Sequence, residues 1–160
     1  MSNLDFFKGC LQNEMEATFA ILSAIPSDKL NYTPHPINRT AYEIAEHITA
    51  HVYDFNVILK NDKCDEKLSC PFSDSADIAK KMKSMWLEAM ETLESYTEQK
   101  WHEENVELLV GGEPFATMPR FQMMWFFLND IIHHRGQLSS YIRPMGGKNP
   151  AVYGYSADTI

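Results

Sequence analysis

The stretch Asn129-Asp130-Ile131-Ile132-His133-His134-Arg135-Gly136-Gln137-Leu138 places two adjacent histidines, an acid and an arginine inside an apolar helical run. A buried ionisable group must find a partner, so this pattern points to something polar bound there. Asp130 and His134 are four residues apart, hence on one helical face and one turn from each other. A second pair with the same spacing, His47 and His51, lies on another helical segment. Pairs of this kind supply metal ligands from a helix, and the chemistry they suggest is a divalent cation held between two helices. The ligand set is then His47, Asp130 and His134, with the remaining positions open to water or substrate. Two imidazoles and a carboxylate suit Zn²⁺, Fe²⁺, Ni²⁺ or Mn²⁺, and spacing does not choose among them. An ion there would lower the pKa of a bound water or thiol and create a nucleophile at neutral pH.

A plainer reading stands beside this one. A chain with six histidines produces such pairs by chance, and a buried histidine is satisfied by hydrogen bonding to a carboxylate. His133 points roughly 100° away from His134 by the helical repeat, so the two do not easily share an ion. His51 reads as a polar neighbour of the site rather than a fourth ligand. Arg135 is either a substrate-anchoring cation or the partner of an interior acid; Gln137 either supports the site from behind or is a surface amide. His35 reads as a loop histidine and His102 carries no supporting pattern. The nine methionines read as core filler.

Four segments with helical periodicity would position these groups. The first runs from about Asn3 to Ala24, with Phe6, Phe7, Cys10, Leu11, Met15, Phe19 and Leu22 at three- and four-residue steps. The second opens at Thr40, where Thr-x-x-Glu with Glu43 makes a capping box, and Ile44, His47, Ile48, His51, Phe55 and Ile58 share its inner face. Asn61 to Phe72 reads as a connector. The third spans about Asp74 or Ser75 to Tyr96, with Ile78, Met82, Met85, Trp86, Ala89 and Leu93 as its stripe. Val106 to Val110 looks strand-like, Gly111-Gly112 a turn, and Phe115 and Thr117 a returning partner strand. The fourth helix starts between Thr117 and Arg120 and ends near Arg143, before Pro144 and Gly146-Gly147. Its middle, Met123 to Ile132, is apolar nearly all round, which predicts a central position. The expected fold class is all-α, a four-helix bundle with a short β-ribbon before its last helix, in a single domain over residues 1–160.

The net charge is −8 with Lys and Arg outnumbered 14 to 22, which disfavours a nucleic-acid surface built on clustered cations. Cys10, Cys64 and Cys70 form no CxxC motif and fit a reducing cytoplasm rather than a disulfide framework. Residues Met1 to Asp5 lack a basic segment followed by an apolar run, so no signal peptide is expected. No stretch of about eighteen apolar residues occurs, so no membrane span is expected either.

At His133-His134-Arg135-Gly136-Gln137-Leu138 the chain resembles the DinB family of DinB/YfiT-like metalloenzymes. The resemblance extends to Pro34-His35-Pro36, Arg39-Thr40 and Glu43-Ile44-Ala45-Glu46-His47-Ile48 at the start of the second helix. It continues through Gly112-Glu113 and Pro119, and on to Arg143-Pro144-Met145-Gly146-Gly147, Pro150 and Tyr153-Gly154-Tyr155-Ser156-Ala157-Asp158. It implies a four-helix bundle, often a homodimer, with a divalent metal held by one histidine from helix two and a His-x-x-x-His pair from helix four. Carried over by position, the ligands fall on His47, Asp130 and His134. Asp130 is the departure, an acid where the family usually has histidine. Either Asp130 ligates in its place, or the site is weakened in a non-catalytic relative, or His51 or His133 compensates. Ligation by Asp130 is the favoured expectation, because a carboxylate keeps ligand chemistry.

Family members with assigned activity join a low-molecular-weight thiol such as bacillithiol, mycothiol or glutathione to a small electrophile. The resemblance therefore implies a metal-dependent thiol S-transferase, with Arg135, Gln137 and His51 as supports around the metal. The alternatives are a metal-dependent hydrolase, or a metal-free stress-response or binding protein in which the polar cluster ties two helices together.

Overall fold

The computed structural model describes residues 1–159. Four long helices, α1 (Asn3–Ser23), α2 (Ala41–Lys60), α3 (Ser75–Glu94) and α5 (Arg120–Ile142), dominate it, with a short helix α4 (Glu98–Glu103). Three strands complete it: β1 (Lys63–Asp65), β2 (Asn105–Val110) and β3 (Glu113–Pro119). The protein is mostly helical with one small sheet, which is the coarse form of the expected architecture. Helix α1 packs on α3 and α5, and α2 packs on the same two, so the four long helices close a ring.

Inside that ring the predicted stripes meet. Phe7 and Leu11 of α1, Ile48, Phe55 and Ile58 of α2, Met82, Trp86 and Leu93 of α3, and Met123, Phe127 and Leu138 of α5 are buried in one core. Trp86 Nε1 donates to the Leu11 carbonyl at 3.1 Å, so one of the two fully buried tryptophans is satisfied there as well as packed. Phe6, expected in the α1 stripe, is half exposed and lies against Trp125 with ring centroids 6.4 Å apart.

The start of α2 matters most for the site, because it sets the rotation of the histidine face. The Thr40 hydroxyl accepts from Glu43 N at 3.2 Å, and the Glu43 carboxylate accepts from Thr40 N at 2.7 Å. Both halves of the capping box are therefore present. Replacing Thr40 with Ala is expected to lower stability by about 1 kcal/mol, read as a lower urea midpoint at unchanged slope.

Three features differ from expectation. The connector after α2 contains β1, which pairs parallel to β2 with Cys64 opposite Leu108. Three residues are too short to show a period in sequence, and the pairing exists only because β2 folds back beside them. Helix α4 was likewise not expected. Finally, α5 is not central: Gln122, Phe126, Asn129, His133 and Gln137 are exposed, while Met124, Leu128, Ile131 and Arg135 are buried. The ring geometry leaves each helix an outer face, and on that of α5 the Phe126 side chain is exposed.

The ribbon itself forms as read, with Gly111 at φ 61° and Gly112 at φ 83°. Two consecutive positive φ values make the tight turn that matches strand twist, and glycine adopts them without steric cost. Strand β3 runs directly into α5 through Pro119.

Candidate metal centre between α2 and α5

Helical spacing on α2 and α5 brings four of the singled-out residues together. His47 Nε2 and His134 Nε2 each lie 3.3 Å from Asp130 Oδ2, and His51 Nε2 lies 2.9 Å from the same oxygen. The rings of His47 and His51 have centroids 4.2 Å apart, and those of His47 and His134 4.6 Å. The donor atoms of His47, Asp130 and His134 all lie within 4.8 Å of one another, and so do those of His47, His51 and Glu66. Four donors around a zinc ion at about 2.0–2.1 Å stand roughly 3.3 Å apart. Two of the donor spacings in the His47–Asp130–His134 set already have that value, so the donor chemistry fits a divalent cation.

Supports behind the donors fix their orientation. His134 donates Nδ1–H to Gln137 Oε1 at 2.8 Å, which leaves Nε2 free to face Asp130. The Gln137 amide in turn donates to His133 Nε2 at 3.0 Å. His133 thus stays exposed on the outer side, as the angular argument requires, and steadies Gln137. His51 is held from behind by Asp54, which is fully buried and lies 3.5 Å from Nδ1. Asp54 also accepts Lys67 N on both oxygens at 3.1 Å.

His51 therefore stands between two carboxylates. Burial opposes its charge, but the hydrogen bonds and charges of Asp130 and Asp54 overcome it and push the imidazole up to about 9. His47 moves the other way, because burial outweighs its hydrogen bond to Asp130 and the neighbouring His51 adds repulsion. Burial would raise the Asp130 carboxyl, yet hydrogen bonds from His134, His47 and His51 hold it far below the usual carboxylate range.

A pH dependence follows for the metal-free protein. The folded-state value of His51 is raised above the unfolded 6.5, so its stabilisation is complete below pH 6.5 and is lost as pH rises through about 9. Urea unfolding of chelator-treated protein should show a falling midpoint over that window. His51→Gln should flatten the profile, and an unchanged slope in that variant would discard the attribution.

Two cavities meet at the cluster. One, of about 370 Å³, is bordered by His47, His51, Glu66 and Asp130 and by apolar Leu108, Val110, Phe115 and Phe126. The other, of about 440 Å³, is bordered by Pro34, Asn38, Ile44, His134, Gln137, Ser140 and Tyr141. Arg39 borders both. The sheet and the outer face of α5 thus supply an apolar wall, which explains why Phe126, Phe115 and Val110 are exposed at 48%, 67% and 38%. A larger hollow of about 520 Å³ between α1 and α3 carries no histidine, cysteine or acid in its lining.

Arg135 lies elsewhere. It is buried, paired with Glu14 at 2.5 Å, and bonded to Thr18 and to the Tyr153 hydroxyl. It is the partner of an interior acid and fastens the C-terminal segment to α1. His35 stays exposed, and His102 pairs with Glu98 at 3.2 Å. Asp54, Glu66 and Arg39 were not expected at the site. Asp54 had a signal, the i, i+3 spacing from His51 on one helix. Glu66 had none, since its place depends on β1 lying beside β2.

A helical protein with a histidine–carboxylate cluster between two long helices belongs to a recognisable class, that of helical proteins with a candidate metal centre. The model of the DinB family matches residues 1–159, and the chain belongs to that family. A solved DinB-like protein from Bacillus subtilis, YjoA, shares the fold with a TM-score of 0.71 at 18% identity, over 93% of this chain and 98% of that one. A DinB-like protein from Bacillus cereus gives a TM-score of 0.70 at 22% identity, over 89% and 92%. No curated protein sequence matches. No helix among the described residues is long and apolar enough to cross a membrane.

Proposed function

We propose that this DinB-family protein holds one divalent cation on His47, Asp130 and His134 and uses it to transfer a low-molecular-weight thiol, of the bacillithiol or glutathione type, to a small electrophile. The closed ring of long helices is read as the four-helix bundle of the DinB/YfiT type. The single observation that carries the reading is the convergence of three imidazoles on one carboxylate oxygen where two cavities of different polarity meet. A cation bound there would lower the pKa of a thiol sulfur and hold it as thiolate.

The chain's own residues supply the rest. Gln137 keeps His134 in the tautomer that presents Nε2. Leu108, Val110, Phe115 and Phe126 give one cavity an apolar wall that suits an apolar electrophile. Arg39, with no ion pair among the described residues, offers a cation to a carboxylate on either substrate. In the balanced reaction a sulfur–carbon bond forms, the thiol proton is released to solvent, and the electrophile's leaving group departs as an anion.

Turnover of an alkyl or aryl halide, followed with and without added thiol, tests the reading. A rate proportional to thiol supports transfer, while halide release indifferent to thiol would make the protein a hydrolase. The homodimer implied by the family resemblance and a cytoplasmic location belong to the same proposal. Sedimentation of the purified chain tests the first.

A further inference from the structure

The donors around Asp130 fall into two groups rather than one. Once His47 and His134 are assigned with Asp130 to the first ion, His51 and Glu66 still face the same apolar cavity. The second donor triplet, His47, His51 and Glu66, overlaps the first only at His47. One imidazole nitrogen serves one ion, so the second group needs another donor, and Asp130 Oδ2 lies 2.9 Å from His51. All three imidazoles face the same oxygen, Asp130 Oδ2, and a carboxylate oxygen can be shared by two ions, whereas an imidazole nitrogen at that position would serve only one.

We propose that the site is a two-cation centre, with His47 and His134 on one ion, His51 and Glu66 on the other, and Asp130 bridging them. The proposal rests on the metal-site reading above and extends it by a second ion.

The second half is built as deliberately as the first. Asp54, fully buried, holds His51 through Nδ1 and holds the backbone of Lys67, the residue after Glu66. Glu66 N donates to the Leu109 carbonyl at 2.9 Å, so the chain is pinned on both sides of this residue. The Glu66 carboxylate itself makes no hydrogen bond among the described residues, and its closest recorded partner is His51 Nε2 at 4.0 Å. A half-buried acid aimed at a histidine, with its backbone fixed and its carboxylate unengaged, is suited to receive a cation.

Charge points the same way. Asp54, Glu66 and Asp130 bring three carboxylates to this corner, and Arg39 is the one fixed cation bordering the cavity among the described residues. His47, His51, Glu66 and Asp130 all border the apolar cavity, while His134 opens on the other one. Both cations would therefore face the apolar cavity.

The experiment is a titration of the metal-free full-length protein with Mn²⁺, and in parallel with Zn²⁺. Stoichiometry is read by elemental analysis after desalting, and the Mn²⁺ samples by electron paramagnetic resonance. Ions about 3.5–4 Å apart in a bridged pair couple magnetically. The expected result is two equivalents of each metal and a spin-coupled Mn²⁺ signal. Glu66→Gln, and independently His51→Gln, should fall to one uncoupled equivalent with the helical circular dichroism retained. One equivalent in the native protein overturns the second ion and leaves the His47–Asp130–His134 reading standing. Two equivalents without coupling overturn the Asp130 bridge, and no equivalents of either metal overturn both readings.

Discussion

His134→Ala is expected to leave the protein folded but without the first cation and without thiol transfer. The imidazole is one of three donors of the proposed first ion, at 3.3 Å from Asp130, and its removal leaves a two-donor set. Loss of a supporting group behind a ligand already lowers metal affinity about 10–100-fold, so loss of the ligand itself should exceed that. Turnover should fall with occupancy, to background. The fold should survive, because the groups left behind, Gln137 and Asp130, are exposed or half-buried and can turn to water. Melting in the presence of chelator separates the two effects. His133→Ala is the matched control: that side chain is exposed, bonds to Gln137 and stacks edge-on against the His134 ring without joining the donor set, so metal should be retained. Native metal content in His134→Ala would remove this residue from the ligand set.

The opposite division of effects is expected at Arg135, the adjacent residue. Arg135→Met should lower stability by about 3 kcal/mol, the lower end for breaking a buried ion pair by removing one partner. The value sits at that end because Glu14 keeps its hydrogen bond from the Tyr153 hydroxyl at 2.6 Å. Metal stoichiometry should not change, since Arg135 is bonded to α1 and to the C-terminal segment and to none of the histidines. Adding Glu14→Gln should restore part of the loss, because the uncompensated charge is then gone. Urea unfolding of the single and double variants measures this. A variant that kept its stability and lost its metal would return Arg135 to the site.

These two neighbours show where the sequence was legible and where it was not. The type and spacing of His47, His51, Asp130 and His134 announced that two helices carry a polar cluster, and the i, i+4 rule placed Asp130 and His134 on one face. The same rule turned His133 away. Arg135 could be read either as a site residue or as an interior partner, because the choice depends on Glu14, 121 residues earlier. No local pattern contains that information.

The elements divide in the same way. The capping box at Thr40, the glycine turn at 111–112, the stripes of α1 to α3 and the end of α5 before Gly146 are local, and local backbone and side-chain chemistry determines them. Helical periodicity alone was enough to bring the His47 face and the Asp130–His134 face toward a common core. Tertiary structure decided the rest: that β1 pairs with β2, that Glu66 and Asp54 join the cluster, and that α5 shows an outer face whose phenylalanine walls a cavity. These are long-range outcomes. A three-residue strand has no period of its own, and an apolar residue on a helix looks the same in sequence whether it fills a core or lines a site. Only the closure of the ring and the return of the sheet against α2 and α5 distinguish the two.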